Sequence, residues 1–93
     1  MSDIYYINRV RCYRDRDNYM ATDSEVAEEF GYFTDSAEAD AKVEELNADI
    51  MAKFKTAVEK RKTTCKHLSL WASYQDATIY EAEVLQSAGE RNQ

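Results

Sequence analysis

From Ala39 to Val58 the apolar residues Ala39, Val43, Leu46, Ile50, Phe54 and Ala57 recur at spacings of three and four, with Val58 beside the last and no proline to interrupt them. That period lays one apolar stripe along a helix, and a stripe must be buried against a second layer. The helix has a start signal: Thr34 or Asp35 can cap it, and Glu38 stands three residues after Asp35, spaced to reach back. Acids fill its first turns and Lys60, Arg61 and Lys62 its last, as the helix dipole favours at each end. Glu38 with Lys42, and Asp49 with Lys53, add favourable four-residue pairs. A helix running to about Lys62 is expected.

The flanking segments read as strands. Ile4 to Tyr13 is rich in β-branched and aromatic residues. Its alternation sets Ile4, Tyr6, Val10 and Cys12 on one side and Tyr5, Ile7, Arg9, Arg11 and Tyr13 on the other. Arg14 to Asn18 is a polar turn, and Tyr19 to Thr22 a second strand, giving a hairpin. Asp23 to Phe33 fits either a strand or a helical turn capped by Thr22 with Glu25. A loop or helical turn is preferred, followed by a short strand at Gly31 to Phe33. Leu68 to Tyr74 fits strand or helix, and Thr78 to Leu85 is a last strand with Tyr80, Ala82 and Val84 on one side. The order implies an α+β fold: a small antiparallel sheet, made of the N-terminal hairpin and the C-terminal strand, packed on one long amphipathic helix. Residues 1–86 form one domain and 87–93 a polar tail.

A single domain of 93 residues buries only about 60–65% of its unfolded surface, leaving little core in which to carve an enclosed active site. Two glycines, Gly31 and Gly89, exclude glycine-rich phosphate-cradling loops. Residues 65–67 hold Cys65 and His67, but with Cys12 these make three soft ligands where a structural zinc takes four. Neither a metal nor a cofactor is implied. A Cys65–His67 nucleophile pair lacks any neighbouring oxyanion-hole signal, and the carboxylate pairs fit a solvated helix face. The expectation is therefore a binding protein and not an enzyme. No apolar run approaches a membrane span, and Met1 to Tyr5 has no signal-peptide character. With two cysteines read as free thiols, the expected compartment is the cytosol.

Charge is unevenly spread. Residues 21–50 carry ten acids against Lys42 alone, and residues 51–70 carry six basic side chains against Glu59. A line of carboxylates can occupy a basic surface or imitate a line of phosphates. Glu38, Glu44, Glu45 and Asp49 are the candidate contacts on the helix, with Tyr32 and Trp71 as aromatic anchors. The opposite reading is direct nucleic-acid binding through Arg9, Arg11 and Tyr13 on the first strand, together with Lys60, Arg61 and Lys62. The net charge of −6 weighs against it. Seven tyrosines and one tryptophan exceed what so small a core needs, which favours a protein partner or a homodimer.

The junction Gly31-Tyr32-Phe33-Thr34-Asp35-Ser36-Ala37-Glu38-Ala39-Asp40-Ala41, continued by Val43-Glu44-Glu45-Leu46-Asn47, resembles a segment common in small bacteriophage accessory proteins. There a strand ending in an aromatic pair leads into an acidic, alanine-rich helix, and Tyr80 to Val84 is similar to their closing strand. The resemblance implies a phage or mobile-element origin. By itself it implies no particular activity, but many such small proteins inhibit host enzymes or defence systems, anti-CRISPR proteins included, so the expectation is an inhibitor acting in the host cytosol on a host protein or ribonucleoprotein complex.

Overall fold

The computed structural model describes residues 3–85. Its organising element is β1 (Ile4–Arg14), which is bonded along both edges. On one edge runs β4 (Ala77–Leu85), antiparallel, in register from Ile4 opposite Leu85 to Cys12 opposite Ala77. The other edge is shared: β2 (Met20–Val26) covers residues 8–14, and β3 (Tyr32–Phe33) lies opposite Tyr5 and Tyr6. The helices are α1 (Ser36–Glu59) and α2 (Leu68–Gln75), so the fold is α+β with an antiparallel sheet, as the sequence order implies. The expected tail at 87–93 lies outside the described residues.

The hairpin turn is held by one side chain. The Asp15 carboxylate accepts from the N–H groups of Asp17 (2.9 Å) and Tyr19 (3.0 Å), and Asn18 takes the left-handed conformation with φ 65°. β2 continues past the expected Thr22 to Val26, so Thr22 and Glu25 form no capping box. Cross-strand register explains the extension, because Glu25 stands opposite Arg9 and Asp23 opposite Arg11. A 3₁₀ turn at Glu28–Phe30 follows and ends at Gly31, with φ 73° and ψ −160°, a region open essentially to glycine alone.

Both sheet faces are partly covered. On one, Val10, Cys12 and Ile79 pack with Ala72 of α2, and Ile50 and Leu68 close over them. On the other, Ile7 is fully buried where the segment after β2 folds back. There Ala27, also buried, donates its N–H to the Ile7 carbonyl (2.8 Å), and the Phe30 ring meets Tyr80 edge-on at 6.0 Å. The expectation of one long helix lying across the sheet is refined. α1 packs chiefly against β4, while the short α2 covers β1.

Asp35 caps α1, accepting from the Ala37 N–H (3.0 Å). The apolar stripe faces inward, with Ala39 buried and Val43, Leu46, Ile50, Phe54 and Ala57 half-buried. Val58 departs from it and is exposed. The helix ends at Glu59, earlier than Lys62. Lys62 N–H donates to the Ala57 carbonyl (2.8 Å), Arg61 N–H to that of Val58 (3.1 Å), and Arg61 takes φ 56°. This is a Schellman ending with arginine where glycine is usual. The ambiguous segment at 68–74 is helical. Its Trp71 and Ala72 are buried, and the Ser73 hydroxyl donates to the Ser69 carbonyl (3.2 Å) one turn back.

Candidate functional site

The 24 residues of α1 span about 36 Å at ~1.5 Å per residue, most of the molecule's 46 Å long axis. Because the stripe faces inward, the charged residues are left outside. Glu38, Asp40, Glu44, Glu45 and Asp49 are exposed on the N-terminal half; Lys53, Lys55, Lys60, Arg61 and Lys62 are exposed on or just beyond the C-terminal half. Among the acids only Glu45 is paired within the described residues, accepting from Lys42 at 2.7 Å, and the Lys42 ammonium also sits 5.2 Å from the centre of the Phe30 ring. The charge alternation seen along the chain thus becomes two poles of one rod.

The aromatic candidates part company. Tyr32 is 59% exposed next to the acidic pole's strand-to-helix junction. Trp71 is 8% exposed, tilted against Phe54 with ring centres 5.5 Å apart, so it belongs to the core and is not a free surface anchor. A core role for the one tryptophan follows from helical rather than extended geometry at 68–75.

The arginine face of β1 is built differently from the sequence expectation. Arg9 donates to Glu25 (2.6 Å) and to Glu29, and lies 5.7 Å from the centre of the Tyr80 ring. The Tyr80 hydroxyl and then the Glu25 carboxylate push the Arg9 guanidinium above its ordinary pKa, fixing its charge. Arg11 grips both oxygens of Asp76 (2.9 and 3.0 Å) and lies over the Tyr13 ring at 5.1 Å. Phosphates approaching Arg9 and Arg11 would have to displace these carboxylates. Arg9, Arg11 and Tyr13 therefore come together, but as a neutralised patch well away in sequence from Lys60, Arg61 and Lys62.

At the basic pole the chain leaving α1 and the end of α2 border an open groove of about 420 Å³ lined by Arg61, Lys62, Thr63, Thr64, Trp71, Tyr74 and Gln75. Of these, sequence alone points to Arg61 and Lys62, and to Trp71 as an aromatic anchor; Tyr74 and Gln75 join them because α2 folds back on the α1 exit. A second hollow of about 440 Å³ lies between Phe54, Val58 and Cys65. Cys65 is half-buried in the irregular connection and His67 is the backbone cap position of α2, while Cys12 is fully buried in the sheet. Burial, and secondarily the charge of Glu81, push the Cys12 thiol up. Among the described residues no three His, Cys, Asp or Glu side chains converge, and no helix is long and apolar enough to cross a membrane. Compared with protein families, with curated proteins and with solved structures, the chain matches none.

Proposed function

We propose that this chain is a non-enzymatic binding protein that docks the acidic half of α1 onto a basic surface of a macromolecular partner. The observation that carries the reading is the exposed row Glu38, Glu44, Glu45 and Asp49, of which only Glu45 has an intramolecular cation among the described residues. These groups contribute nothing to the buried stripe of α1, and their charge is free to act outward. Complementary charge accelerates encounter and selects the partner, while exposed aromatic area such as Tyr32 holds the complex once formed. In this reading the carboxylates take the place that backbone phosphates occupy on a nucleic-acid-binding surface. The resemblance to phage accessory proteins gives the partner class: a host protein or ribonucleoprotein complex of defence or nucleic-acid processing, engaged by an inhibitor.

The test uses the full chain as bait in bacterial lysates, with a Glu45→Lys, Asp49→Lys variant beside it. A stoichiometric partner retained by the parent chain is expected. The variant, equally folded, associates more slowly in dilute buffer and at nearly the same rate at high salt, where screening acts within about 3 Å at 1 M. An unchanged association rate in dilute buffer makes the acidic row a solvated face and ends the proposal. A partner that proves to be a second copy of the chain moves the interface to self-association.

A further inference from the structure

We propose that the groove at the basic pole binds a nucleotide unit, an aromatic base carrying a phosphate. It is separate from the acidic row and stands on different residues. Its volume of about 420 Å³ falls in the range of roughly 300–1,000 Å³ used for small ligands. The walls differ in chemistry. Arg61, Lys62 and the hydroxyl-bearing Thr63 and Thr64 come from the exit of α1; Trp71, Tyr74 and Gln75 come from α2.

Among the described residues no carboxylate lines the groove, and no ion pair engages Arg61 or Lys62, in contrast to Arg9 and Arg11. Asp76, next in the chain after Gln75, is already taken by Arg11. Tyr74 is 56% exposed, and the Arg14 guanidinium stacks 4.6 Å from its ring centre, itself tied to the hairpin turn through Asn18. The groove therefore offers uncompensated positive charge beside an aromatic surface backed by a third cation. Phosphate satisfies the first element and a base the second. A carboxylate peptide satisfies only the first.

The same chemistry is found in a free nucleotide and in a single strand, and the experiment separates them. Trp71 lines the groove and is the only tryptophan, so its fluorescence reports occupancy directly. The full chain is titrated at low ionic strength with oligothymidylate, thymidine monophosphate, orthophosphate and polyglutamate, and the anisotropy of end-labelled oligothymidylate gives a second readout. Saturable binding of oligothymidylate, weakening with salt, is expected. Arg61→Gly with Lys62→Ala should weaken it about tenfold or more and flatten the salt slope by about 1.4, at ~0.7 per cation on single strands. Glycine suits the left-handed backbone at Arg61, so this loss cannot be ascribed to unfolding. Tyr74→Ala should weaken binding about tenfold with the slope unchanged, through lost stacking.

Stronger binding of the oligonucleotide than of the monophosphate identifies a strand as ligand. Equal binding per site identifies a free nucleotide, and both support the site. The proposal is overturned if neither nucleotide binds by either readout, if the double variant binds as the parent does, or if orthophosphate or polyglutamate binds equally well.

Discussion

Asn47 meets Tyr80 as a neighbouring strand would. Its amide N–H donates to the Tyr80 carbonyl at 2.9 Å, and its amide oxygen accepts from the Tyr80 N–H at 2.9 Å. The outer edge of β4 would otherwise present those two backbone groups unpaired beneath α1, and Asn47 is buried there. One side chain thus locks the longest helix to the sheet at a defined height. Replacing it with alanine removes both bonds and leaves a donor and an acceptor unsatisfied. We expect Asn47→Ala to cost about 2–3 kcal/mol in urea denaturation. A change within about 0.5 kcal/mol would mean that water serves the edge equally well.

Ile7 identifies a second packed region on the arginine face of the sheet. It is fully buried, although its strand neighbours on that face are Tyr5 and Arg9. Ile7→Ala should destabilise by about 3 kcal/mol. Ile4→Ala, at a position 40% exposed, should cost under about 1 kcal/mol. Equal effects would place the two side chains in similar surroundings and refute the burial of Ile7.

Two backbone positions should respond in opposite directions. Arg61 occupies a left-handed conformation, so Arg61→Gly is expected to stabilise by about 0.5–1 kcal/mol. A methyl group added at Gly31 would meet nothing within 4 Å, so the cost of Gly31→Ala, about 1–3 kcal/mol, is backbone strain alone. Paired thermal or urea unfolding checks both signs.

The two thiols should separate by reactivity. Cys65 is half-buried and should react with a thiol reagent in the native state, whereas Cys12 should react only on unfolding. The Cys12 pKa is raised in the folded state. Its contribution to stability is therefore full below the unfolded thiol's value, about 8.5, and is lost as pH rises from there through the folded value. Cys12→Ala should remove that alkaline component of unfolding. The same alkaline component in Cys12→Ala as in the parent chain would show that Cys12 is not its source.

Local signals make α1 legible: a cap at Asp35, an apolar period, and acids ahead of bases. Its end is not legible, because a Schellman ending normally carries glycine and here carries Arg61. β2 beyond Thr22 runs through Asp23, Ser24 and Glu25, poor strand formers, before reaching Val26, and β1 sets arginines opposite two of those three. The candidate site divides the same way. The exposed acids can be read from the helix period, since they need only α1. The neutralisation of Arg9 by Glu25 and Glu29, and of Arg11 by Asp76, depends on residues 16, 20 and 65 positions away. Nothing local announces such a partner. The groove at Tyr74 likewise exists only once α2 turns back towards the exit of α1.

The position of β1 between β2 and β4 also carries a cost in time. Ile4 pairs with Leu85 and Cys12 with Ala77, so β1 must wait for β4, made more than sixty residues later, before one whole edge is closed. During that interval the hairpin and α1 can form from local contacts, but Val10 and Cys12 have no Ile79 to pack against. A nascent chain halted before residue 77 should therefore expose an unpaired β1 edge and be held by chaperones. The sheet closes only after β4 has been made, and pairing across so long a separation makes its assembly the slow step of folding.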